Sequence, residues 1–333
     1  MPPPVTFRSR APLRLDFAGG WTDVPPFATD EGGAVVNAAI QLYAAAEVTV
    51  GGRGIMLRSE DLGVSEFCAG AADLHATGPL ALLKGALRMH PVHRCSLTTR
   101  SDAPPGSGLG SSGALDVALV STLARARGEE LDSLDLADQG WFLETREAGI
   151  AGGKQDQYAA ALGGFHRLGF DEEGVSVERL RLDPAFVREL ERRTVLCHTG
   201  TSRVSGDTID RVMGAYRRQE PAVTGALRAM KGVADSMADA LRQSDLPAVG
   251  ALLSENWRLQ RVLDAGMQTP FMRNLETAVA SAGVWGGKAA GAGAGGCMFF
   301  IASGDPDRVA GAARTAGARV LPVAWSPEGV AAC

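Results

Sequence analysis

The segment Pro104–Gly113 has the residue types of a phosphate-binding loop. It reads PPGSGLGSSG and lies between a predicted strand at 95–99 and a predicted helix at 114–127. Glycines let the backbone adopt positive φ and approach an anion closely. The free N–H groups of the first helical turn would then hold a phosphate. The hydroxyl of Ser111 or Ser112 could reach a phosphate oxygen or a Mg²⁺ ion.

Two better-known nucleotide motifs do not fit this segment. A Walker A loop is excluded because no Gly-Lys-Ser/Thr sequence follows and no lysine is available to reach the phosphates. The segment is also not interpreted as a dinucleotide fingerprint, which combines GxGxxG with an acidic residue about 20 positions further on. An ordinary glycine-rich turn is the structural alternative for this segment taken alone.

A second segment, Gly152–Gln157, could supply proton transfer and metal binding. It reads GGKQDQ, and Glu144 lies twelve residues before Asp156. A phosphoryl acceptor hydroxyl needs a carboxylate that takes its proton, and a metal ion needs hard oxygen ligands. Asp156 and Glu144 would supply one each. The alternative is structural, since an Asp in a glycine-rich turn is also a common turn former.

A third segment, Arg10–Pro26, predicts an apolar strand that leads into a Gly-Gly turn carrying Trp21, Thr22 and Asp23. Such a turn can place an aromatic face and hydroxyl-binding groups against a sugar, and the alternative is a plain strand end and loop. A fourth segment, Lys288–Gly296, reads KAAGAGAGG and precedes a predicted strand. It is a weak signal alone, because any tight connection can use glycines.

Periodicity and helix breakers place these segments between regular elements. Residues 35–50 are apolar and rich in β-branched residues, which indicates strands, and 135–148 has a helical pattern. The polar residues 171–174 are the candidate connection between two domains, 1–170 and 171–333. The other predicted elements are helices across 207–263 with breaks near Pro221 and Pro247, a helix from Thr269–Pro270 to Ala282, a strand at 297–302, a short helix and a strand near 320–323.

Composition indicates a globular protein of two domains, since domains usually have about 100–200 residues. The 333 residues include 45% hydrophobic and 21% charged residues, and the net charge of -5 argues against a nucleic-acid-binding surface. No uncharged apolar stretch of about 18 residues predicts a membrane span, and the amino end lacks the apolar core of a secretion signal. The five scattered cysteines favour reduced thiols in a cytoplasm.

Together, the four segments resemble the motifs of the GHMP kinase family. Pro104–Ala114 resembles its PxGxGLGSSxA phosphate loop, Arg10–Asp23 its first motif and Lys288–Gly296 its third. The resemblance implies a kinase that uses ATP and Mg²⁺ to phosphorylate a small molecule. It also implies an α+β fold of two domains with the active site in the cleft between them. The N-terminal domain would contain a left-handed βαβ unit, an exception to the usual handedness, and the C-terminal domain would be ferredoxin-like.

The resemblance further implies roles for individual residues. Asp156 matches the catalytic Asp, Arg14 matches the arginine next to the transferred phosphoryl group in galactokinases, and Asp23 matches an acceptor for sugar hydroxyls. Ser112 and Glu144 match the Mg²⁺ ligands, with Ser111 as the alternative serine. The other matched residues are Pro105, Gly106, Ser107, Gly108, Leu109, Gly110, Ser111 and Ser112 for ATP, and Gly20, Trp21, Thr22, Gly153, Gln155, Thr201, Arg203 and Gly293 for the sugar.

One branch of the family gives a narrower match. Gly19–Pro26, Gly33–Val35, Gly153–Ala161 and Thr199–Arg203 resemble the kinases that phosphorylate D-glycero-D-manno-heptose 7-phosphate or L-fucose at the anomeric hydroxyl. The chain length favours the heptose phosphate, because fucokinases are often fused to a pyrophosphorylase domain. Trp21 is more typical of fucokinases. Galactose is disfavoured, because the Glu–His pair of galactokinases is absent from the first motif.

Three other interpretations stay open. The first is a kinase for a free sugar such as L-fucose. The second is a mevalonate-pathway or homoserine kinase, against which the Trp-Thr-Asp-Val-Pro-Pro turn argues. The third is a sugar sensor that has lost catalysis, which would be expected to lack Asp156 or the Mg²⁺ ligands. The expected partner is a sugar or sugar phosphate, with no nucleic acid and no membrane, bound by a monomer or a homodimer.

Overall fold

The computed structural model describes residues 4–200 and 206–333. The strands are β1 (Val5–Ala18), β2 (Gly33–Val50), β3 (Ile55–Ser59), β4 (Val64–Cys68), β5 (Cys95–Ser101), β6 (Phe165–Phe170), β7 (Val175–Arg179), β8 (Thr194–His198), β9 (Val284–Ala289), β10 (Cys297–Ala302), β11 (Arg319–Leu321) and β12 (Ala331–Ala332). The α-helices are α1 (Phe27–Glu31), α2 (Ala81–Met89), α3 (Ser111–Ala126), α4 (Ser133–Phe142), α5 (Gln155–Leu162), α6 (Pro184–Arg193), α7 (Gly206–Arg217), α8 (Pro221–Arg242), α9 (Leu246–Leu263), α10 (Pro270–Ala282) and α11 (Pro306–Thr315).

The first sheet is built on two long antiparallel strands, β1 and β2. Its strand order is β12-β1-β2-β5-β3-β4, and β6 and β7 extend it along the first part of β2. The first eight residues of β2 are buried, because α3, α5 and α8 pack against this strand. β3 and β5 are parallel neighbours, as a βαβ unit requires, and α2 lies between them in the chain. The strands expected at 35–50 and 95–99 are confirmed.

The polar residues 171–174 form the turn of a hairpin within the first sheet. β6 and β7 pair on either side of it, and the backbone N–H of Asp171 donates to the carbonyl oxygen of Gly174 at 3.1 Å. The chain therefore stays in the first sheet until Arg179, beyond the stretch that was expected to connect the domains. The division into domains 1–170 and 171–333 stays a prediction.

The second sheet has the strand order β11-β8-β10-β9, and all of its pairs are antiparallel. In chain order these are its fourth, first, third and second strands, which is the order of a ferredoxin-like sheet. The helices α9 and α10 pack against β9, and α11 packs against β8. The α+β class and the ferredoxin-like character of the second half are confirmed.

Helix ends follow local sequence signals. The Thr269 hydroxyl accepts a hydrogen bond from the backbone N–H of Met272, and α10 ends at Ala282 before Gly283, whose φ is 96°. The breaks expected near Pro221 and Pro247 correspond to the gaps before α8 and α9. Within residues 4–200 and 206–333, no helix combines the length and the apolar character that crossing a membrane requires.

The segment after β11 returns to the first sheet. β12 pairs with Ser9 and Arg10 of β1. Trp325 packs against Phe17 and Phe165, with ring centroids 5.9 Å and 5.0 Å away. These contacts attach the final part of the chain to the first half of the molecule.

Candidate active site

One cleft brings together segments that are far apart in the sequence. It encloses about 530 Å³, and its walls come from the end of β1 and the following turn, the loops before α3 and α5, the first turn of α7 and the loop after β9. Both halves of the chain contribute to it. The residues of the sequence prediction that line the cleft are Arg14, Gly20, Trp21, Asp23, Gly106, Ser107, Gly108, Gly110, Ser111, Ser112, Glu144, Gly153, Gln155 and Asp156.

Other residues of the prediction lie elsewhere. Pro105 is exposed beside the cleft, and Leu109 is buried, with its carbonyl oxygen accepting from the backbone N–H of Arg14 at 2.9 Å. The Thr22 hydroxyl is buried and donates to the carbonyl oxygens of Gly19 and Ala34, so it holds the turn together.

For three further residues of the predicted sugar site, the structure gives no position in the cleft. Gly293 lies beside Met267 and Gln260. Thr201 and Arg203 lie outside the described residues. The roles assigned to these three residues stay predictions.

Arg14 and Asp156 form an ion pair at the centre of the cleft. Asp156 Oδ1 accepts from Arg14 Nε at 2.8 Å and lies 2.7 Å from Arg14 Nη2. Arg14 Nη1 donates to the carbonyl oxygens of Gly108 and Ala290, at 2.7 and 2.8 Å. Arginine has a planar fork of five N–H donors, so these contacts fix its orientation. Both contacts to Asp156 use Oδ1, so Oδ2 has no charged partner among the described side chains.

Glycines bring the start of α3 against Asp156. Gly110 has φ of 72°, and a Cβ on this residue would lie 3.2 Å from Asp156 Cγ. A Cβ on Gly113 would lie 2.6 Å from Asp156 Cβ. Larger residues would push the helix away from the carboxylate. The glycines of this loop are therefore needed for the approach of α3 and α5, as well as for the shape of the loop.

The segment Lys288–Gly296 packs against the segment Pro104–Gly113. A Cβ on Gly291 would lie 2.4 Å from the carbonyl oxygen of Gly108, and one on Gly296 would lie 2.6 Å from that of Ser107. The backbone N–H of Cys297 donates to the same Ser107 oxygen at 2.7 Å. This segment was a weak signal by itself, and its glycines permit close contact between two loops.

Glu144 and Ser112 lie side by side below the loop. The Glu144 carboxylate is buried, hydrogen-bonds the Ser112 side chain and accepts from Gln157 Nε2 at 2.7 Å. Burial raises the pKa of Glu144 to about 7, and the negative charge of Asp156 adds to this. Ser111 instead contacts Ser107, with 3.3 Å between the hydroxyl oxygens.

The donors of this pair fit a Mg²⁺ ion. Carboxylate and hydroxyl oxygens are hard ligands, and Mg²⁺ is usually held by one or two carboxylates together with substrate phosphates. In the parts of the chain that the structure describes, no cluster of three or more His, Cys, Asp or Glu side chains could hold a metal alone.

Asp23 is a second buried carboxylate in the cleft. Its Oδ2 accepts from the backbone N–H of Gln155 at 3.1 Å, and its Oδ1 lies 3.4 Å from Gln155 Nε2. A Cβ on Gly153 would lie 1.9 Å from Asp23 Oδ2, so only glycine fits there. Burial raises the pKa of Asp23 to about 7, against the lowering effect of the Gln155 backbone hydrogen bond. No cation among the described side chains pairs with it.

The sequence prediction missed a second ion pair below the first. Lys288 is fully buried, and its Nζ donates at 2.7 Å both to Asp16 Oδ2 and to the Asp16 carbonyl oxygen. Burial lowers the pKa of Lys288, and Asp16 opposes that effect. A signal existed, because Asp16 interrupts the apolar strand LRLDFA and a charge inside such a strand needs a partner.

The cleft is rich in negative charge. Among its described lining residues Arg14 is the one lysine or arginine, and it is paired with Asp156. The first turn of α7 adds two carboxylates that the sequence prediction did not include. The acidic lining residues are Asp16, Asp23, Glu144, Asp156, Asp207 and Asp210.

Two family models match this protein, one in each half of the chain. The family model for the N-terminal domain of GHMP kinases matches residues 76–164. The model for the C-terminal part of GHMP kinases matches residues 237–319.

Individual relatives match over most of the chain. It is 32% identical to a D-glycero-alpha-D-manno-heptose 7-phosphate kinase of Campylobacter jejuni, with 89% of each chain covered. A crystal structure of a D-glycero-D-manno-heptose 1-phosphate kinase from Bacteroides thetaiotaomicron is 28% identical, with a TM-score of 0.79 and 99% of each chain covered. An L-fucokinase/L-fucose-1-P guanylyltransferase of Bacteroides fragilis is 28% identical over 89% of this chain and 34% of its own length.

Proposed function

The chain belongs to the GHMP kinase family, and on this premise we propose that it transfers the γ-phosphoryl group of ATP to the anomeric hydroxyl of a sugar. We propose D-glycero-D-manno-heptose 7-phosphate as the acceptor, which would give the 1,7-bisphosphate. The observation that carries this acceptor is the 32% identity to the Campylobacter kinase over 89% of both chains.

Asp156 would receive the proton of the acceptor hydroxyl. Arg14 occupies Oδ1 with two N–H groups, so Oδ2 is the oxygen available to a hydroxyl. As the proton moves to Oδ2, the hydroxyl oxygen forms a bond to the γ-phosphorus and the bond to the bridging oxygen of ADP breaks. General-base catalysis of this kind contributes roughly 10²–10⁴-fold to the rate.

Arg14 would stabilise the charge that moves toward the leaving oxygen. Its guanidinium is held by two carbonyl oxygens and by Asp156, so it requires little reorganisation during the reaction. The contact with Gly108 also ties it to the loop before α3, where glycines and the helix N-terminus can hold phosphates.

Ser112 and Glu144 would hold a Mg²⁺ ion, with Ser112 preferred to Ser111 because it hydrogen-bonds Glu144. When bound, the ion neutralises charge on the phosphates of ATP. Gln157 donates to Glu144 Oε2 and would keep the carboxylate oriented.

The turn after β1 would bind the sugar. Asp23 would accept from ring hydroxyls, Gln155 and Gly153 would border the same wall, and Trp21 would provide an apolar face. Asp23 and Trp21 are both buried at the cleft wall, 3% and 5% exposed. Arg203 is the proposed contributor to a subsite for the distal phosphate.

A free sugar such as L-fucose is the second candidate acceptor. A phosphorylated acceptor needs positive charge around its second phosphate, whereas the described lining of the cleft contains six carboxylates and Arg14. The similarity to the Bacteroides fragilis fucokinase covers 89% of this chain. The charge of the described lining favours a sugar without a phosphate, and the similarity makes L-fucose the candidate among such sugars.

A coupled assay of ADP release tests these proposals. The expected result is fast turnover of D-glycero-D-manno-heptose 7-phosphate, and slow turnover of L-fucose, galactose and mevalonate. ³¹P and ¹³C NMR of the product should place the new phosphate on the anomeric carbon. Turnover of L-fucose without turnover of any sugar phosphate would contradict the heptose 7-phosphate as acceptor, while the proposed kinase activity would still hold. A phosphate on another hydroxyl would contradict the anomeric assignment.

A further inference from the structure

Three buried polar atoms in the cleft have no partner in the part of the protein that the structure describes. Among the described residues, Asp16 Oδ1, Gln155 Oε1 and Trp21 Nε1 are buried without a hydrogen bond, and all three residues line the cleft. Two of these atoms are acceptors and the third is a donor. Buried polar atoms in native proteins are nearly always paired, so unpaired ones in a cleft indicate partners on a ligand.

Asp16 has one carboxylate oxygen engaged and one available. Lys288 Nζ donates to Oδ2 at 2.7 Å, and the residue is 2% exposed. Lys288 also donates to the Asp16 carbonyl oxygen at 2.7 Å, which fixes the position of this part of β1. Oδ1 is thus an acceptor held in place and without a donor among the described residues.

Gly20 allows this carboxylate to reach the cleft wall. A Cβ on Gly20 would lie 2.3 Å from Asp16 Oδ2 and 3.2 Å from Gln155 Nε2. Gln155 Nε2 in turn lies 3.4 Å from Asp23 Oδ1. Asp16, Gln155 and Asp23 therefore form a continuous polar wall around Gly20, and any side chain at Gly20 would displace Asp16.

We propose that Asp16 is a specificity-determining residue of the acceptor site, whose Oδ1 accepts a hydrogen bond from a sugar hydroxyl next to Gln155 and Trp21. This inference rests on the proposed sugar kinase function. A hydroxyl can both donate and accept, so two neighbouring hydroxyls can satisfy the two acceptors and the indole N–H together. A carboxylate paired with Lys288 accepts and does not donate, so it selects a hydroxyl over an ether oxygen or a deoxy carbon.

Steady-state kinetics of two Asp16 variants test this role. Asp16→Asn keeps the shape of the side chain, and Asp16→Asn combined with Lys288→Met removes both buried charges, which protects folding. The KM for the sugar should rise about ten- to hundredfold in both variants, because a hydrogen bond to a charged acceptor is lost. The KM for ATP should stay within about twofold of wild type. If Asp16 had only a structural role, its loss would be expected to affect both KM values.

Lys84→Met is the matched control. Lys84 is a buried lysine outside the cleft, paired with Glu66 at 2.9 Å. Removal of this ammonium group should leave both KM values unchanged. The control therefore separates the loss of a buried lysine from the loss of the cleft contact.

Deoxy sugars identify the hydroxyl. Within a panel of monodeoxy analogues of the sugar that wild type phosphorylates, one analogue should raise the wild-type KM and leave the KM of the Asp16 variants unchanged. Unchanged sugar KM in both variants, or an equal rise for sugar and ATP, would overturn the proposal. A wild-type enzyme that phosphorylated neither the heptose 7-phosphate nor L-fucose would contradict the proposed function itself.

Discussion

Two ion pairs begin two residues apart on β1 and differ in their exposure. In the pair Arg14–Asp156, the Asp156 side chain is 28% exposed and faces the cleft. In the pair Lys288–Asp16, the side chains are 0% and 2% exposed. Each pair joins β1 to a distant segment and uses one carboxylate oxygen for the cation. Residue types are thus similar, and exposure separates a pair whose carboxylate is partly open to the cleft from a pair that is fully enclosed.

The free-energy cost of leaving a charge without its partner also differs between the two ion pairs. Asp156 is partly open to water, so its charge can change partner at modest cost, whereas a fully buried charge without its partner is strongly destabilising. Asp23 marks a third case, a buried carboxylate without a described cation, and its pKa is raised to about 7. The following changes break or refine this comparison, beginning with the largest expected effect.

Changes at the more exposed pair should affect turnover. Asp156→Asn and Asp156→Ala remove the proton acceptor, so kcat should fall roughly 10²–10⁴-fold while the protein stays folded. Circular dichroism and the ADP-release assay measure the two quantities. A folded variant with kcat close to wild type would remove Asp156 from the reaction.

Changes at the buried pair should affect stability first. Lys288→Met leaves Asp16 as a buried charge without its cation, so the free energy of unfolding should fall by about 3–5 kcal/mol. Urea unfolding at neutral pH measures this loss. The matched variant is Asp16→Asn with Lys288→Met, which should recover most of the stability. Equal instability of the single and double variants would contradict the role of the ion pair.

Arg14→Ala should reduce kcat by roughly 10²–10³-fold, the range for the loss of one preorganised donor in a transition state. The sugar KM should change far less, because the guanidinium acts on the transferred group. Arg14→Lys keeps the charge without the planar fork and should recover only part of the rate. A large rise in sugar KM with an unchanged kcat would move Arg14 from phosphoryl transfer to sugar binding.

Asp23 should make stability depend on pH. The ordinary pKa of an Asp side chain is 3.8, and burial raises the pKa of Asp23 to about 7 in the folded protein. Its contribution to stability is therefore fully present below pH 3.8 and is lost as the pH rises to about 7. Asp23→Asn has no titrating group at this position, so it does not lose this stability. The difference in free energy of unfolding between Asp23→Asn and wild type should therefore be about 1–4 kcal/mol more favourable to the variant at pH 8 than at pH 4. Urea unfolding at both pH values without nucleotide is the measurement, and equal pH profiles would refute the raised pKa.

The smallest expected effect concerns the metal ligands. Ser112→Ala and Glu144→Gln each remove one hard oxygen ligand, so the Mg²⁺ concentration for half-maximal rate should rise by about three- to tenfold at fixed ATP. Ser111→Ala is the matched control and should leave the Mg²⁺ dependence unchanged. A larger shift for Ser111→Ala than for Ser112→Ala would reverse the assignment of the serine ligand.

Local sequence signals predicted much of the fold. The Thr269–Pro270 start of α10 and the strands at 35–50 and 95–99 depend on residues close in the chain, and the structure contains them. The glycines of Pro104–Gly113 predicted a phosphate loop for a similar reason, and that role stays a prediction. Motif spacing also identified Asp156 and Glu144 as candidate site residues, and both line the same cleft.

Contacts between distant residues could not be predicted in this way. Lys288 and Asp16 are 272 positions apart, and nothing near either residue identifies the other. Thr22 was assigned to the sugar from its neighbours, whereas its hydroxyl is used by the turn, through Ala34 on the next strand. The polar residues 171–174 resemble a linker, and only the pairing of β6 with β7 makes them a hairpin turn.

The return of β12 and Trp325 to the first sheet has a consequence for biosynthesis. β1 leaves the ribosome about 320 residues before its partner β12, which is roughly 15–60 s at ordinary translation rates. During this interval one edge of β1 lacks its partner and is open to pairing with another nascent chain. The positions of β1 and β12 therefore make cotranslational folding of the first half incomplete and dependent on the second.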